Sequence, residues 1–327
     1  MPHAFMVLNP VSTLVIFDSQ LIRQYCETHF KNAGWSLDVF QTTGMENIGE
    51  IVRKALAGNP KPDLVIAAGG DGTISEVADS LVGTNTPLAI LPAGTGNLLA
   101  QELQIPIDIP KSVELITSQH RLKTIDTMEV NGRHRVLNLG IGMSSAVIKA
   151  TRRKEKRLFG LLAYTWNVLV QLTGLRLHRF NITVDDRTYI FKASEVMVTN
   201  GGVIGIEPLR WDPGIAIDDG ILNICIIRAR TLLDFLSLVV SAVLRRQNRH
   251  PKFSCIAATQ DITIHTDRPL LVEADGDLIG YTPVRVRVIP RSLRVIVPEH
   301  PGAIGVTLGN FKIIRHLPVI LNPSGKK

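Results

Sequence analysis

The stretch DLVIAAGGDGTISEV, residues 63–77, predicts how the first third of the chain folds. Asp63–Ala68 is an apolar run with the length of a buried strand, and helical spacing of apolar residues resumes from Ile74 to Leu81. The glycines of GGDGT, residues 69–73, let a ligand approach the backbone closely. Successive N–H groups at a strand-to-helix turn attract anions. The stretch therefore predicts a βα turn that binds phosphate.

Two side chains add detail to this turn. Thr73 and Glu76 have the spacing of a capping box, which predicts that the helix begins just after Thr73. Asp71 repels phosphate unless a cation lies between them, so an acid inside the loop suggests a magnesium-dependent site.

A second glycine turn follows the next predicted strand. Leu88–Pro92 reads as a buried strand, Gly94-Thr95-Gly96-Asn97 as the turn, and Leu98–Leu103 as a helix. The segments around both turns alternate in the same way: strands Ala4–Leu8 and Ser36–Gln41, and helices Ser19–Ala33 and Ile48–Ala57. This order predicts a doubly wound parallel α/β domain with one crevice at the carboxyl ends of its strands. Neither turn is a Walker A motif or a G-x-G-x-x-G fingerprint.

The pattern changes near residue 124, where short segments alternate apolar and polar residues. These predicted strands are Thr124–Val130, Arg135–Leu139, Asn181–Val184, Glu195–Thr199, Ile221–Arg228, Asp261–Thr266, Val284–Ile289 and Leu293–Val297. Turn pairs separate them: Asn131-Gly132, Asp185-Asp186, Asp219-Gly220 and Asp275-Gly276. Together they predict an antiparallel β-sandwich, interrupted by helices at about Phe159–Leu175 and Leu232–Arg246. We expect an α/β domain over 1–123, a β-rich domain over 124–300, and a tail over 301–327 that can return to the first domain.

Composition narrows the class of protein. The chain has 327 residues, 45% of them hydrophobic and 20% charged, which is typical of a globular protein. Its three cysteines, Cys26, Cys225 and Cys255, are odd in number and far apart, which argues against a disulfide scaffold or zinc ribbon and favours a reducing compartment. No signal peptide is recognisable, and the apolar run Leu232–Leu244 is too short to span a bilayer. We expect a cytoplasmic protein.

The net charge of +7 favours anionic partners. Nucleic acid is disfavoured, because no RNP1, KH or zinc-finger pattern occurs and aromatic residues make up only 5% of the chain. The run Arg152–Arg157 precedes apolar residues that include Phe159 and Leu161, so it can dock on anionic lipid at the inner face of a membrane. The alternative is a solvated charge run beside a core helix.

At these residues the chain resembles the diacylglycerol kinase catalytic family, which includes bacterial lipid kinases and sphingosine kinases. GGDGTISEV (69–77) and LPAGTGNLLA (91–100) resemble its two nucleotide-loop signatures. Further similar segments are NLGIG (138–142), which follows Asp126, a G-x-x-x-Y helix (160–164), DDGIL (218–222) and DGD (275–277). The GGDGT segment alone is shared with NAD kinases.

The resemblance implies roles for individual residues. It implies that ATP is held by Asn9, Thr43, Gly69, Gly70, Asp71, Gly72, Thr73, Ile74, Ser75, Gly94, Thr95 and Asn97. Thr42 competes with Thr43 for its contact. Magnesium would be held by the side chain of Asp219 and by the backbone carbonyls of Ala216 and Ile221. Asp277 would take the proton of the substrate hydroxyl, and Asp71 would order the network of metal and water.

The chain departs from the family pattern at several positions. Thr13 stands where the N-P-x-S-G loop has glycine, Asn223 follows DDGIL in place of an acid, and Asp277 replaces the usual glutamate. The glycine-rich patch before the metal loop is reduced to Gly205. Asp-Asp-Gly and Asp-Gly also occur as ordinary hairpin turns, and each segment can be both a turn and a site.

The leading hypothesis is an ATP- and Mg²⁺-dependent lipid kinase that phosphorylates a free hydroxyl of diacylglycerol or a related lipid. One alternative is a NAD kinase-like enzyme. Another is a nucleotide- or lipid-binding protein that has lost catalysis. The lipid acceptor and the oligomeric state cannot be read from the sequence.

Overall fold

The computed structural model describes residues 1–10, 19–118, 120–150, 176–205 and 209–300. The basic run Arg152–Arg157, the predicted helix Phe159–Leu175 and the tail 301–327 lie outside the described residues.

Strands and helices alternate through the first part of the chain. Their bounds are β1 (His3–Leu8), α1 (Ser19–Asn32), β2 (Ser36–Gln41), α2 (Ile48–Leu56), β3 (Leu64–Gly69), α3 (Asp71–Leu81), β4 (Leu88–Pro92), α4 (Leu98–Glu102) and α5 (Ile109–Thr117). The four strands are parallel in the order β2-β1-β3-β4. Every residue of β3 and of β4 is buried, as expected for strands covered on both faces.

The helices bury one stripe each against this sheet. On α1 the buried residues are Ile22, Cys26 and Phe30, four positions apart. Helix α1 packs beside α5, and α2 packs beside α3. The predicted α/β layer is confirmed, including the exact bounds of Leu88–Pro92.

The remaining described chain is mostly antiparallel. Its elements are β5 (Arg121–Val130), β6 (Arg133–Arg135), β7 (Asn138–Gly142), α6 (Met143–Ala150), β8 (His178–Val184), β9 (Arg187–Ala193), β10 (Glu195–Thr199), β11 (Leu222–Ile227), α7 (Leu232–Val243), β12 (Phe253–Ala258), β13 (Asp261–Thr266), β14 (Leu271–Ala274), β15 (Asp277–Tyr281) and β16 (Val284–Val297). A six-stranded sheet has the order β12-β11-β10-β7-β14-β15. It packs on β16, β13 and β8 of the other sheet through one apolar core. The predicted sandwich is confirmed.

Strand β16 connects the two layers. Its first half contributes Val284, Val286 and Val288 to the sandwich core, and its second half contributes Leu293 and Val295 to the core of the α/β layer. It pairs antiparallel with β5 and meets β4 in parallel, so the described residues form one ten-stranded sheet across both layers. The division at residues 123 and 124 falls inside β5 and stays a prediction.

Three of the predicted turn pairs close two-residue hairpins. Asn131-Gly132 joins β5 to β6, Asp185-Asp186 joins β8 to β9, and Asp275-Gly276 joins β14 to β15. Both residues of each pair have positive φ, the conformation required by the turns that match strand twist.

Some predicted strand bounds were wrong. The segment Arg135–Leu139 is divided between β6 and β7, because the chain leaves one sheet and enters the other. The two segments predicted between Val284 and Val297 are one strand, which changes register against β5 between Ile289 and Leu293.

Cys225 and Cys255 form a disulfide, which departs from the prediction based on their spacing. They lie opposite each other on β11 and β12, which are paired antiparallel, with 4.3 Å between their Cα atoms. They are thirty residues apart in sequence, and the pairing of the two strands brings them together in space. Cys26 is a buried free thiol in α1.

Candidate active site

The carboxyl ends of the parallel strands bring the predicted nucleotide residues to one edge of the sheet. Asn9 follows β1, Thr42 follows β2, the GGDGT loop ends β3, and the Gly94–Asn97 turn follows β4. Backbone bonds preserve the alignment: the N–H of Asn9 donates to the carbonyl of Ala68, and that of Thr42 to Leu8 (2.9 Å each). Such an edge is where open α/β sheets bind ligands.

The GGDGT loop passes directly into α3. The helix begins at Asp71 after Gly70, and no side chain caps it, so the predicted capping box of Thr73 and Glu76 was wrong. The hydroxyl of Thr73 instead accepts from the side-chain amide of Asn9 at 2.9 Å. The first intrahelical bond runs from Ile74 N–H to the Gly70 carbonyl, which leaves the earlier N–H groups at the helix start available to an anion.

The glycines of the two loops serve different purposes. A Cβ on Gly69 would lie 2.8 Å from Thr73, and one on Gly94 would lie 2.5 Å from the Cα of Gly70. Gly94 therefore allows the second loop to touch the first. A Cβ on Gly72 would meet nothing within 4 Å, so this residue borders open space.

The second loop is held by its own side chain. Asn97 has φ 48° and is buried; its amide accepts from the N–H of Gly94 and donates to the Gly94 carbonyl, both at 2.9 Å. Thr95 is exposed at the tip of this loop. The structure thus uses Asn97 to shape the turn and presents Thr95 outward.

Asp71 links the two loops. Its carboxylate accepts from the N–H of Leu98 at 2.7 Å, and a Cβ on Gly96 would lie 2.8 Å from it. Burial raises the pKa of Asp71, the Leu98 hydrogen bond opposes this rise, and the nearby charge of Asp275 adds to it. Asp71 is therefore a constrained carboxylate facing a second acid from the sandwich.

Thr43 lies in a turn whose polar groups form hydrogen bonds with one another. Its N–H and its hydroxyl donate to Glu46, and the hydroxyl of the buried Thr42 donates to Glu46 at 2.5 Å. Hydrogen bonds, above all that from Thr42, lower the pKa of Glu46 to about 2. A nucleotide contact by Thr43 stays a prediction.

Asp275 anchors the DGD turn to both layers. Its buried carboxylate accepts from the N–H groups of Val136, Leu137 and Asn138 at 2.8–3.0 Å. It also accepts from the hydroxyl of Ser75 on α3 at 2.7 Å. Ser75 was predicted to contact phosphate, and its hydroxyl is instead directed to this acid. The phosphate loop and the DGD turn are thereby joined, 200 residues apart in sequence.

Asp277, the predicted base, is the first residue of β15 and is half-exposed. The buried Arg135 places its guanidinium 3.6 Å from the Asp277 carboxylate. Asp275 and Asp277 therefore differ: the first is enclosed in hydrogen bonds, and the second faces outward with a cation beside it.

The predicted metal segment is organised by Asp126. This fully buried carboxylate accepts from the N–H of Gly220 at 2.6 Å and from that of Arg291 at 2.7 Å. Asp219 is largely exposed and accepts from Ile221 N–H at 2.9 Å. Partial desolvation and the charge of Asp126 raise its pKa, and the Ile221 hydrogen bond opposes this rise. No cluster of three or more His, Cys, Asp or Glu side chains suited to a metal occurs in the described part of the chain.

Two family models match the chain over its two layers. One, described as the diacylglycerol kinase catalytic domain, matches residues 3–130. The other, described as the YegS C-terminal NAD kinase beta sandwich-like domain, matches residues 138–297. The chain thus carries a catalytic domain of the diacylglycerol kinase family at residues 3–130. A domain of this kinase family indicates a phosphotransferase.

Relatives named as diacylglycerol kinases align with nearly the whole length of this chain. The diacylglycerol kinase of Bacillus subtilis strain 168 is 27% identical over 303 residues, which cover 91% of this chain and 97% of that protein. The diacylglycerol kinase of Staphylococcus epidermidis is 26% identical over 303 residues, covering 91% and 92%. The crystal structure of a diacylglycerol kinase from Bacillus anthracis str. Sterne superposes with a TM-score of 0.75 at 24% identity, covering 91% and 97%, and shows the shared fold.

The structure also contains a pair of buried glutamates, which the sequence analysis did not identify as candidates. Glu195 on β10 and Glu273 on β14 flank Gly140 on β7, where a Cβ would collide with Glu273 and with the Ser144 hydroxyl. Glu195 accepts from the hydroxyl and N–H of Ser144 at 2.6 and 3.0 Å. Burial raises the pKa of Glu195 to about 7 and, together with the charge of Glu195, that of Glu273 to about 8. The signal available was a charged residue at an inward position of each strand.

Among the described residues, none of the helices has the length and hydropathy of a membrane-spanning segment.

Proposed function

We propose that the protein is an ATP- and Mg²⁺-dependent lipid kinase that phosphorylates a free hydroxyl of diacylglycerol or a related lipid. The observation that carries the proposal is the hydrogen bond between Ser75 and Asp275. It joins the start of α3, which suits phosphate, to the turn that presents Asp277. Phosphoryl transfer needs these two parts together, because it consists mainly of positioning, charge stabilisation and a carboxylate for the hydroxyl proton.

The nucleotide fits the edge of the sheet. The backbone N–H groups of Asp71, Gly72 and Thr73 would bind phosphate oxygens, aided by the dipole of α3. Gly72 borders open space, and Asn9 and Thr95 flank the same edge. ATP would supply the γ-phosphoryl group to the acceptor oxygen.

Magnesium fits the chemistry of the carboxylates. Asp219 and Asp126 lie close enough for their charges to interact, and a bound cation would relieve that repulsion. Asp219 with the carbonyls of Ala216 and Ile221 would supply the oxygen ligands that Mg²⁺ prefers. If so, Asp219→Ala raises the Mg²⁺ concentration for half-maximal activity, whereas Asp212→Ala, in the preceding loop, leaves it unchanged.

Asp277 acts on the acceptor side of the reaction. Its carboxylate would take the proton of the substrate hydroxyl as the hydroxyl oxygen bonds to phosphorus and ADP leaves. Arg135 positions this carboxylate, being buried and 3.6 Å away. The shorter side chain of Asp277 relative to glutamate motivates one variant: we expect Asp277→Glu to retain or raise activity.

The test is transfer of ³²P from γ-labelled ATP to one of two acceptors, diacylglycerol in detergent micelles or NAD. We expect Mg²⁺-dependent label in the lipid. Label in NAD would favour the NAD kinase-like alternative, which the GGDGT segment and the sandwich leave open. Label in neither, with ATP bound, would favour a binding protein that has lost catalysis.

A further inference from the structure

Helix α7 carries apolar residues on two separate faces. Leu238 is buried, and with Phe235 it packs on the outer side of the six-stranded sheet against Met197, Ile227 and Phe253. A second set of side chains is exposed: Leu233 (77%), Leu236 (49%), Val240 (57%) and Val243 (55%). Their spacing of three, four and three residues places these four on one stripe of the helix, which we call the outer α7 face.

The helix is fixed in this orientation by its N-terminus. Thr231 and Asp234 form a reciprocal capping box, and Asp234 also accepts from the ammonium of Lys252 at 2.7 Å. The hydroxyl of Ser237 is 3.1 Å from the imidazole of His250. Asp234, the single acid of the helix, is therefore neutralised and lies off the outer α7 face.

Cations lie beyond both ends of the outer α7 face. Arg230 is exposed before the helix begins, and Arg245, Arg246 and Arg249 are exposed after it ends. An apolar stripe of this kind with basic residues at its ends is the pattern that binds an anionic lipid surface. Exposed apolar patches on soluble proteins commonly mark such contacts.

Charge disfavours the other occupants. A second copy docked on this face, parallel or antiparallel, would bring arginines against arginines at both ends. The segment 151–175 has five basic residues and a single acid, Glu155, and the segment 301–327 contains no acid at all. Each would approach the face with like charge, whereas an anionic bilayer complements it.

We propose that the outer α7 face docks on an anionic lipid bilayer, with its apolar stripe in the acyl-chain boundary and the terminal arginines at the headgroups. This inference deepens the proposed function and rests on it, because a kinase with a lipid substrate must reach a bilayer. It assigns the contact to residues other than the basic run Arg152–Arg157.

The test is sedimentation with vesicles of phosphatidylglycerol and phosphatidylcholine, without ATP. The face variant is Leu233→Ser/Leu236→Ser/Val240→Ser. Its matched control, Ile107→Ser/Leu122→Ser/Ile190→Ser, changes residues of similar exposure elsewhere. We expect the face variant to lose at least about tenfold in binding and the control to bind like the wild type. Unchanged melting curves show that both variants are folded.

Charge is tested separately. Arg245→Gln/Arg246→Gln/Arg249→Gln should weaken binding at low salt and have little effect at high salt, because salt screens exposed charges. The control Arg179→Gln/Arg187→Gln/Arg268→Gln removes the same charge from exposed positions elsewhere. Depth of insertion is measured with a tryptophan introduced on the face. Lipids with brominated acyl chains should quench the fluorescence of the tryptophan in Val240→Trp and should not quench that in Ile190→Trp.

Two results would overturn the inference. One is that the face variant binds vesicles as tightly as the wild type does. The other is that the wild type forms a dimer that does not bind vesicles, and that the face variant is monomeric. Phosphorylation of a dispersed short-chain diacylglycerol is measured in parallel. It reports on the kinase proposal alone, so the face variant keeps this activity if both proposals hold. Normal vesicle docking without kinase activity in any protein would reject only the proposed function.

Discussion

The carboxylate of Asp71 lies between two glycine loops. Replacing it by the neutral amide of asparagine tests the effect of its charge while the shape of the side chain is kept. Asp71→Asn can still accept the hydrogen bond of Leu98 and removes the repulsion from Asp275. We expect unchanged or slightly raised thermal stability and a fall in phosphoryl transfer of about 10²–10³-fold, the usual loss for a preorganised electrostatic group. Asp79→Asn on the same helix is the control and should keep its activity. Wild-type turnover by Asp71→Asn would remove Asp71 from the mechanism.

Asp275 and Asp277 are two residues apart and should respond oppositely to alanine. Asp275→Ala leaves Ser75 and three backbone N–H groups without their acceptor. An unsatisfied buried group costs about 1–3 kcal/mol, so we expect at least about 3 kcal/mol lower stability in denaturant unfolding. Asp277→Ala should melt like the wild type and lose about 10²–10⁴ in activity as a missing base.

The reverse pattern, with a stable, inactive Asp275→Ala and an active Asp277→Ala, would assign the base to Asp275. The sequence indicated that both acids matter and could not distinguish them. Their difference arises from Ser75 and Val136, which are distant in the chain and reach Asp275 only through the fold.

Among the loops, Gly94 and Gly72 offer a matched comparison. A Cβ on Gly94 meets the backbone of Gly70, which cannot rotate away, so Gly94→Ala should cost about 1–3 kcal/mol of stability as overpacking. A Cβ on Gly72 meets nothing, so Gly72→Ala should keep its melting temperature and raise the KM for ATP. Thermal melts and ATP kinetics measure both. An unchanged KM for Gly72→Ala would place the nucleotide elsewhere.

Strands and helices with strong periodicity were predictable, and those set by distant partners were not. Leu88–Pro92 and Glu195–Thr199 were predicted to the residue. The start of α3 was misplaced because Thr73 bonds Asn9 from another strand rather than capping its own helix. Helix α6 and strand β12 were not anticipated, and the Cys225–Cys255 disulfide followed from strand pairing that spacing did not reveal.

Across the six-stranded sheet, Glu195 and Glu273 make stability depend on pH. Glu273 has a pKa of about 8 in the native protein and an ordinary value of 4.5. Between these values the native state retains a proton that the unfolded chain has lost, so the contribution of Glu273 to stability is fully present below about pH 4.5 and is lost as pH rises towards 8. Glu273→Gln should flatten this decline and be more stable than the wild type at pH 8.

Denaturant unfolding between pH 5 and 8 measures this decline, which should be on the order of a few kcal/mol at about 1.4 kcal/mol for each unit of pKa displacement. Glu114→Gln, at an exposed position on α5, is the control and should follow the wild-type profile. A Glu273→Gln profile parallel to that of the wild type would mean that the carboxylate is ionised in the native protein.

At the scale of the whole molecule, the sequence predicted two layers and a site where they meet. It did not predict that β16 passes through both layers, because two ordinary apolar runs separated by Pro290-Arg291-Ser292 read as two strands. That continuous strand and the Ser75–Asp275 bond hold the loops of one layer against the turn of the other. The central claim is that Asp71 and Asp277 serve a single phosphoryl-transfer site.

Transfer of ³²P from ATP to diacylglycerol, measured in the wild type, Asp71→Asn, Asp277→Ala and the double variant, tests this claim. Residues that act as one unit show strongly non-additive losses. We predict Mg²⁺-dependent transfer by the wild type, at least about 100-fold lower rates in each single variant, and a double variant no slower than the slower single variant. No transfer by the folded wild type, or wild-type rates in both single variants, would contradict the account.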